Sequence, residues 1–243
     1  MEIEKYDLKY YAKVHSVESF GTLDGPGIRF VLFLQGCNLK CKYCHNRDTW
    51  DINKGSYKSI DEILEKIMKY KHYISSGGVT VTGGEPLLQY QFVTELFKKL
   101  KEKNIHTCID TSGMIEITNN IKKLIDLTDL FLLDIKHIDP IKCKDLVGFS
   151  NEKELAFAKY LNQINKPMWI RQVLIPGITD DKQDLLKLKH FLSSLNNLQK
   201  FELLPYHTMG KYKWENLNLK YELDGIPSAS EENIERAKMI LNI

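Results

Sequence analysis

From residue 28 to the C-terminus, short apolar runs alternate with longer stretches in which apolar residues recur every three or four positions. The runs at 28–34, 79–82, 106–110, 130–134, 169–175 and 201–204 are almost continuously apolar, rich in Val, Ile, Leu and Phe. That is the pattern of parallel strands covered on both faces. Between the first two runs, Ser59-Ile60-Asp61-Glu62 is a capping box, and Ile60, Ile63, Leu64, Ile67 and Met68 follow as one apolar stripe. Phe92, Val93, Leu96, Phe97 and Leu100 form a second stripe, closing in lysines and Asn104. Further helices are predicted at about 116–126, 152–165, 181–195 and 230–242. In the last two, Leu185, Leu188, Phe191, Leu192 and Leu195, then Ile234, Ala237, Ile240 and Leu241, are expected to face the core.

Six strand–helix units joined by right-handed crossovers predict an α/β fold: a partial (β/α)6 TIM-like barrel with parallel strands, open or partly closed. A doubly wound sheet uses the same elements, and pattern alone does not separate the two. No Pro/Gly/Ser-rich linker divides the chain, so residues 1–243 read as a single domain. It has an N-terminal extension over 1–27, a partial barrel over 28–243 and a looped stretch at about 206–229.

The unusual residues gather where these strands end, the face on which parallel α/β folds bind ligands. The first strand runs into Cys37, Cys41 and Cys44, a C-x3-C-x2-C spacing that takes three of the five cysteines. Thiolates are soft ligands suited to iron–sulfur clusters, zinc and Cu(I). A cubane cluster normally takes four cysteines, so three leave one iron open for chemistry. Other readings compete. Cys41-Lys42-Tyr43-Cys44-His45 matches the c-type haem string, but no apolar export signal precedes it. Cys37, Cys41, Cys44 and His45 are a Cys3His set for structural zinc, and five cysteines make a poor disulfide scaffold.

The second strand ends in Gly83-Gly84-Glu85, the third in Asp110-Thr111 and the fourth in Asp134-Ile135-Lys136. Arg171 lies within the fifth, and His207 follows the sixth. Asp134 and Lys136 sit two apart on a strand and so share a face. Opposite charges facing a barrel interior ask for mutual pairing or a ligand. Each element also has an ordinary structural reading: Gly-Gly as a tight turn, Glu85 as a helix cap, Arg171 as one half of an inward salt bridge, His207 as a satisfied core histidine. Cys108 and Cys143 read as buried thiols.

Bulk composition narrows the partners. Hydrophobic content of 43% and charged content of 27% suit a globular protein, and 34 basic against 32 acidic residues give no electrostatic case for nucleic acid. No apolar run approaches the length of a membrane span. Unpaired thiols without an export signal predict a reducing cytoplasm.

The stretch Gly21-Thr22-Leu23-Asp24-Gly25-Pro26-Gly27-Ile28-Arg29-Phe30, followed by the cysteine motif with Tyr43-Cys44-His45-Asn46, resembles the opening of the radical S-adenosylmethionine activases of glycyl radical enzymes. The resemblance continues through Gly83-Gly84-Glu85, 105–113, 133–136, 169–171 and 203–207, nearly the whole chain. It implies a 4Fe–4S cluster on Cys37, Cys41 and Cys44 whose open iron is chelated by S-adenosylmethionine. Reductive cleavage of that cofactor yields a 5′-deoxyadenosyl radical, which takes a hydrogen atom from a glycine of a partner enzyme, with pyruvate formate-lyase the favoured partner. By the same resemblance Gly83, Gly84 and Glu85 bind the methionyl end, and Tyr43 and Asn46 pack beside cluster and adenine. Asp134, Lys136, Arg171 and His207 meet the carboxylate, ribose or sulfonium region. Asp110, Thr111 and Asp134 match positions that hold a monovalent cation, and Asp24 meets the partner's glycine loop. A flavodoxin or ferredoxin-type reductant and a monomeric state are further implications. Residues 47–107 contain no cysteine, so a single cluster is expected. Leu39 stands where relatives carry Met. The alternatives are a radical S-adenosylmethionine enzyme acting on a small molecule, an activase of a different glycyl radical enzyme, a zinc-stabilised binding module and an electron-transfer ferredoxin.

Overall fold

A computed structural model describes residues 7–243; the start of the N-terminal extension, 1–6, lies outside the described residues. Eight strands form one open sheet in the order β3-β1-β2-β4-β5-β6-β7-β8. They are β1 (Tyr11–Gly21), β2 (Arg29–Leu34), β3 (Ser56–Ser59), β4 (Gly78–Gly83), β5 (Thr107–Thr111), β6 (Leu130–Asp134), β7 (Met168–Leu174) and β8 (Leu198–Pro205). The pairs β2–β4, β4–β5 and β7–β8 are parallel, whereas β1 runs antiparallel to both β2 and β3. The six parallel strands read from the sequence are present, in an α/β arrangement consistent with an incomplete barrel.

Two strands correct the sequence reading. β1 lies within the stretch taken as an extension, and β3 lies in what read as a connection. β1 alternates buried Ala12 and Val14 with half-exposed Lys13 and His15, as an antiparallel strand with one wet face does. It therefore lacks the continuous apolar run that marks the parallel strands.

The chain divides into two compact units, 1–38 with 49–111 and 115–132, and 39–48 with 112–114 and 133–243. The first unit contains β1 to β5, the start of β6, and helices α1 (Ile60–Lys69), α2 (Tyr90–Glu102) and α3 (Asn119–Leu127). Its core is Phe30, Leu32 and Leu34 of β2 and Val79 and Val81 of β4, with α2 packing on both α1 and α3. All five apolar residues of the α2 stripe are buried, and Ile60, Ile63, Leu64 and Ile67 of α1 with them; Met68 remains exposed. The second unit carries β7, β8, α4 (Pro140–Val147), α5 (Glu152–Gln163), α6 (Lys182–Ser193), α7 (Lys211–Glu215) and α8 (Glu231–Leu241). Met168, Ile170, Phe157, Leu161, Leu146 and Leu188 fill its interior, and α8 packs on α6. Helix α4 was not foreseen, and the predicted loop at 206–229 contains α7. Cys108 and Cys143 are fully buried, and burial pushes the Cys143 thiol up to about 12. No helix among the described residues is long and apolar enough to cross a membrane.

The capping box at α1 is complete: the Glu62 amide donates to Ser59 Oγ at 3.2 Å and the Ser59 amide donates to Glu62 Oε2 at 2.8 Å. Ser59→Ala is expected to lower global stability by about 1 kcal/mol. The check is urea unfolding, with a lower midpoint at unchanged slope.

Candidate active site

In the first unit the cysteine motif begins where β2 ends. The Gly36 amide donates to the Thr49 carbonyl at 2.6 Å and the Cys37 amide to the Trp50 carbonyl at 3.3 Å, which pins the entry of the loop to its exit. The end of β4 lies alongside, with Gly83 in register with Leu34. The Gly84 amide donates to the Leu34 carbonyl at 2.9 Å and the Glu85 amide to the Gly36 carbonyl at 2.8 Å. A Cβ on Gly84 would run into that same Gly36 carbonyl and come within 3.2 Å of Cys37 Cβ. Glycine is needed here because one backbone lies against another, immediately before the first thiol.

Glu85 is buried and accepts from the Leu87 amide at 3.1 Å and from Thr111 Oγ1 at 2.6 Å, capping the 3-10 turn Pro86–Gln89. Its neighbour on the third strand end, Asp110, accepts from Thr82 Oγ1 at 2.7 Å. Gln89, which the sequence reading passed over, donates to the Lys13 and Gln35 carbonyls, both at 2.9 Å, and accepts from the Lys13 amide at 2.8 Å. It ties β1 to the end of β2.

In the second unit the loop continues through Cys41 and Cys44. The Lys40 amide donates to the Val147 carbonyl at 2.9 Å and the Lys42 amide to the Leu146 carbonyl at 3.0 Å, so carbonyls in the last turn of α4 receive the loop. The Cys44 amide closes a turn onto the Cys41 carbonyl at 3.0 Å. From the other side, Trp214 Nε1 donates to the Cys44 carbonyl at 2.9 Å, and Lys213 Nζ donates to Asn46 Oδ1 and Asp48 Oδ1, both at 3.1 Å. His45 Nε2 bonds the His207 carbonyl at 3.0 Å, with the two rings 4.3 Å apart. Burial lowers the His45 imidazole from its ordinary value. Nδ1 of His207 is buried without a hydrogen-bond partner.

The charged residues of β6 and β7 form one network. Asp134 Oδ2 accepts from Lys136 Nζ at 2.7 Å and Oδ1 from Arg171 Nε at 3.0 Å, with side chains 21%, 12% and 10% exposed respectively. Burial opposes the Asp134 carboxylate, but Arg171 and Lys136 overcome it and hold the group at about 2. Burial likewise opposes the Lys136 ammonium, and Asp134 more than offsets it. Burial raises the Tyr43 hydroxyl, with the Lys136 charge pulling the other way. Glu154, fully buried on α5, accepts from the Lys136 amide at 3.1 Å through Oε1, while its Oε2 has no hydrogen-bond partner. Burial raises its carboxyl well above the usual range.

All five cysteines are unbridged by disulfides, Cys41 buried and Cys37 and Cys44 half-buried. The amides of Cys37, Lys40, Lys42 and Cys44 all donate to backbone carbonyls, which braces the short segment that carries the three thiols. Three thiolates are a donor set that would suit an iron–sulfur cluster. Among the described residues, no three His, Cys, Asp or Glu side chains are grouped around a point for a single ion.

Two outcomes follow from this geometry. Gly84→Ala is expected to displace the start of the cysteine loop; anaerobically reconstituted variant should hold several-fold less iron and sulfide per chain than the parent, with unchanged far-ultraviolet circular dichroism. Because the Asp134 carboxylate is depressed, its contribution to stability is present above its unfolded value and lost as pH falls towards about 2. The stability difference between the parent and Asp134→Asn, measured by urea unfolding, should therefore be largest above pH 5 and shrink as pH drops below about 4.

The family model of the radical SAM superfamily matches residues 31–188. The pyruvate formate-lyase-activating enzyme of Staphylococcus epidermidis is 51% identical over 94% of each chain, and that of Staphylococcus aureus 49% over the same shares. Among solved structures, a domain of pyruvate-formate lyase-activating enzyme from Bacteroides vulgatus is 27% identical with a TM-score of 0.58, covering 69% of this chain and 94% of that one. The superfamily uses a 4Fe–4S cluster and S-adenosylmethionine. With the cysteine loop inside the matched region and near-full-length relatives at half identity, this chain belongs to the radical SAM superfamily and, within it, to the family of the pyruvate formate-lyase-activating enzymes.

Proposed function

We propose that this chain activates pyruvate formate-lyase by installing a glycyl radical on it. The observation that carries the reading is the 51% identity over 94% of the chain to an enzyme named for that activity. When bound, the cluster and S-adenosylmethionine supply reductive cleavage of the sulfonium, and the radical so formed takes a hydrogen atom from a glycine of the partner.

What the chain's own residues contribute follows from their chemistry. Cys37, Cys41 and Cys44 would hold the cluster. Asp134, Lys136 and Arg171 together carry one positive charge in excess, which suits the cofactor's carboxylate. Their mutual bonds fix them before any ligand arrives, so little ordering cost is left for binding. Gly83, Gly84 and Glu85 line the methionyl end with backbone, and Tyr43, Asn46 and His207 lie towards adenine and ribose. A monovalent cation at Asp110, Thr111 and Asp134 belongs to the same reading. So do Asp24 as a contact for the partner's glycine loop, a flavodoxin or ferredoxin-type reductant, a monomeric state, a cytoplasmic setting and a single catalytic domain spanning the chain.

Anaerobic reduction of the reconstituted protein with S-adenosylmethionine and pyruvate formate-lyase should produce the doublet of a glycyl radical by electron paramagnetic resonance. Absence of that signal, with cofactor cleavage intact, would sink the partner assignment. Cys41→Ala should abolish cofactor cleavage while the circular dichroism of the chain stays near that of the parent; full cleavage with two thiols would contradict the three-cysteine assignment.

A further inference from the structure

Past Lys42 the cysteine loop is held by another segment of the same unit, residues 207–214. Trp214 Nε1 donates to the Cys44 carbonyl at 2.9 Å. Lys213 Nζ bridges Asn46 Oδ1 and Asp48 Oδ1, each at 3.1 Å. The Arg47 guanidinium sits over the Trp214 ring, 5.3 Å from its centroid. Gly210 lies against His45: a Cβ there would meet His45 Cδ2 at 2.6 Å and His45 Cα at 2.7 Å. Each residue from Cys44 to Asp48 thus meets a partner within 207–214.

Trp214 is itself anchored. Its buried ring meets Tyr221 edge to face, with centroids 5.5 Å apart. Tyr221 and Tyr206, both buried, share a hydrogen bond between their hydroxyls at 3.0 Å. The Tyr206 amide donates to the Leu174 carbonyl at 3.1 Å, where β7 ends. A line of contacts therefore runs from the sheet through two phenols and an indole to the backbone of the third thiol. A buried indole N–H needs an acceptor, and this one finds it at Cys44. The reaction proposed above uses neither Trp214 nor Lys213, so their hold on the loop has another purpose.

We infer that Trp214 and Lys213 are positioning residues that clasp the loop over Cys44–Asp48 and limit the loss of iron from it. The inference rests on the reading of Cys44 as a cluster ligand. Iron escapes to a chelator when the loop opens locally, and opening over 44–48 requires both side chains to let go. Their bonds join segments more than 160 residues apart and belong to no strand pairing, so the clasp can open while the sheet stays intact. Lysine suits its place because one ammonium on a flexible stem reaches two oxygens at once.

The test compares the anaerobically reconstituted parent with Trp214→Phe, Lys213→Met and Lys211→Met. Lys211 lies on the same helix, but its ammonium pairs with Asp224. The readouts are iron release to an excess of an iron(II) chelator, hydrogen exchange of the same reconstituted protein and its urea midpoint. Trp214→Phe and Lys213→Met should each release iron about fivefold faster, the effect of one lost hydrogen bond on a local opening. Exchange should quicken in peptides covering 40–48 and 207–215 and stay parental in β7. Lys211→Met should match the parent throughout. Parental release rates in both clasp variants overturn the inference, as does equal acceleration in Lys211→Met. So does exchange that quickens across β7 in step with a lower urea midpoint, or misfolding of both variants, since either makes the pair part of the core alone. If the parent itself takes up no iron and sulfide, the cluster reading fails and this inference falls with it.

Discussion

The cysteine segment is held by its backbone, and the elements on either side of it in each unit supply the partners that hold it. In the first unit the entry of the cysteine segment is bonded through the Gly36 and Cys37 amides and the Gly36 carbonyl. In the second, the amides of Lys40, Lys42 and Cys44 and the carbonyl of Cys44 are all engaged. A segment braced in this way loses little further conformational entropy when its side chains are ordered. Gly84 belongs to the same device, because only bare backbone lets the end of β4 lie against Gly36.

Beside this loop in chemistry stands the buried network of β6 and β7. Asp134 is an anion bonded by two cations, so each of its oxygens is directed by a partner. The buried Glu154 accepts from the Lys136 amide. Pre-arranged charges of this kind raise local selectivity because they need no reorganisation when the ligand arrives. A second use of buried charge appears at Arg29, which donates to the Gly77 and Val79 carbonyls, a cation that fixes backbone instead of a ligand. In both places polar groups are taken out of water only where nearly every donor is met.

Much of the site was legible because its residues sit at the ends of apolar runs. Continuous runs such as Phe30–Leu34 and Leu130–Leu133 mark parallel strands, and the residue types that interrupt the pattern mark the ligand face. What escaped had no local signature. β1 alternates weakly, and β3 is four polar-rich residues that pair only because β1 is present. The segment 206–221 read as a loop, yet Trp214, Lys213 and Gly210 brace the cysteine segment, each through a contact more than 160 residues away in sequence. Glu85 was read towards a ligand, and its carboxylate is turned to the Leu87 amide and Thr111. Gly84 was read as room for a ligand, and its first reason is the neighbouring backbone. Only tertiary packing reveals such roles.

The central claim is that three thiolates leave one iron of the cluster open for the cofactor. Mössbauer spectroscopy of protein reconstituted with iron-57, before and after addition of S-adenosylmethionine, reads it directly. The account predicts that one iron in each cluster changes its isomer shift on cofactor addition while the other three do not. Four irons that stay alike, or a spectrum without a cubane cluster, would contradict it.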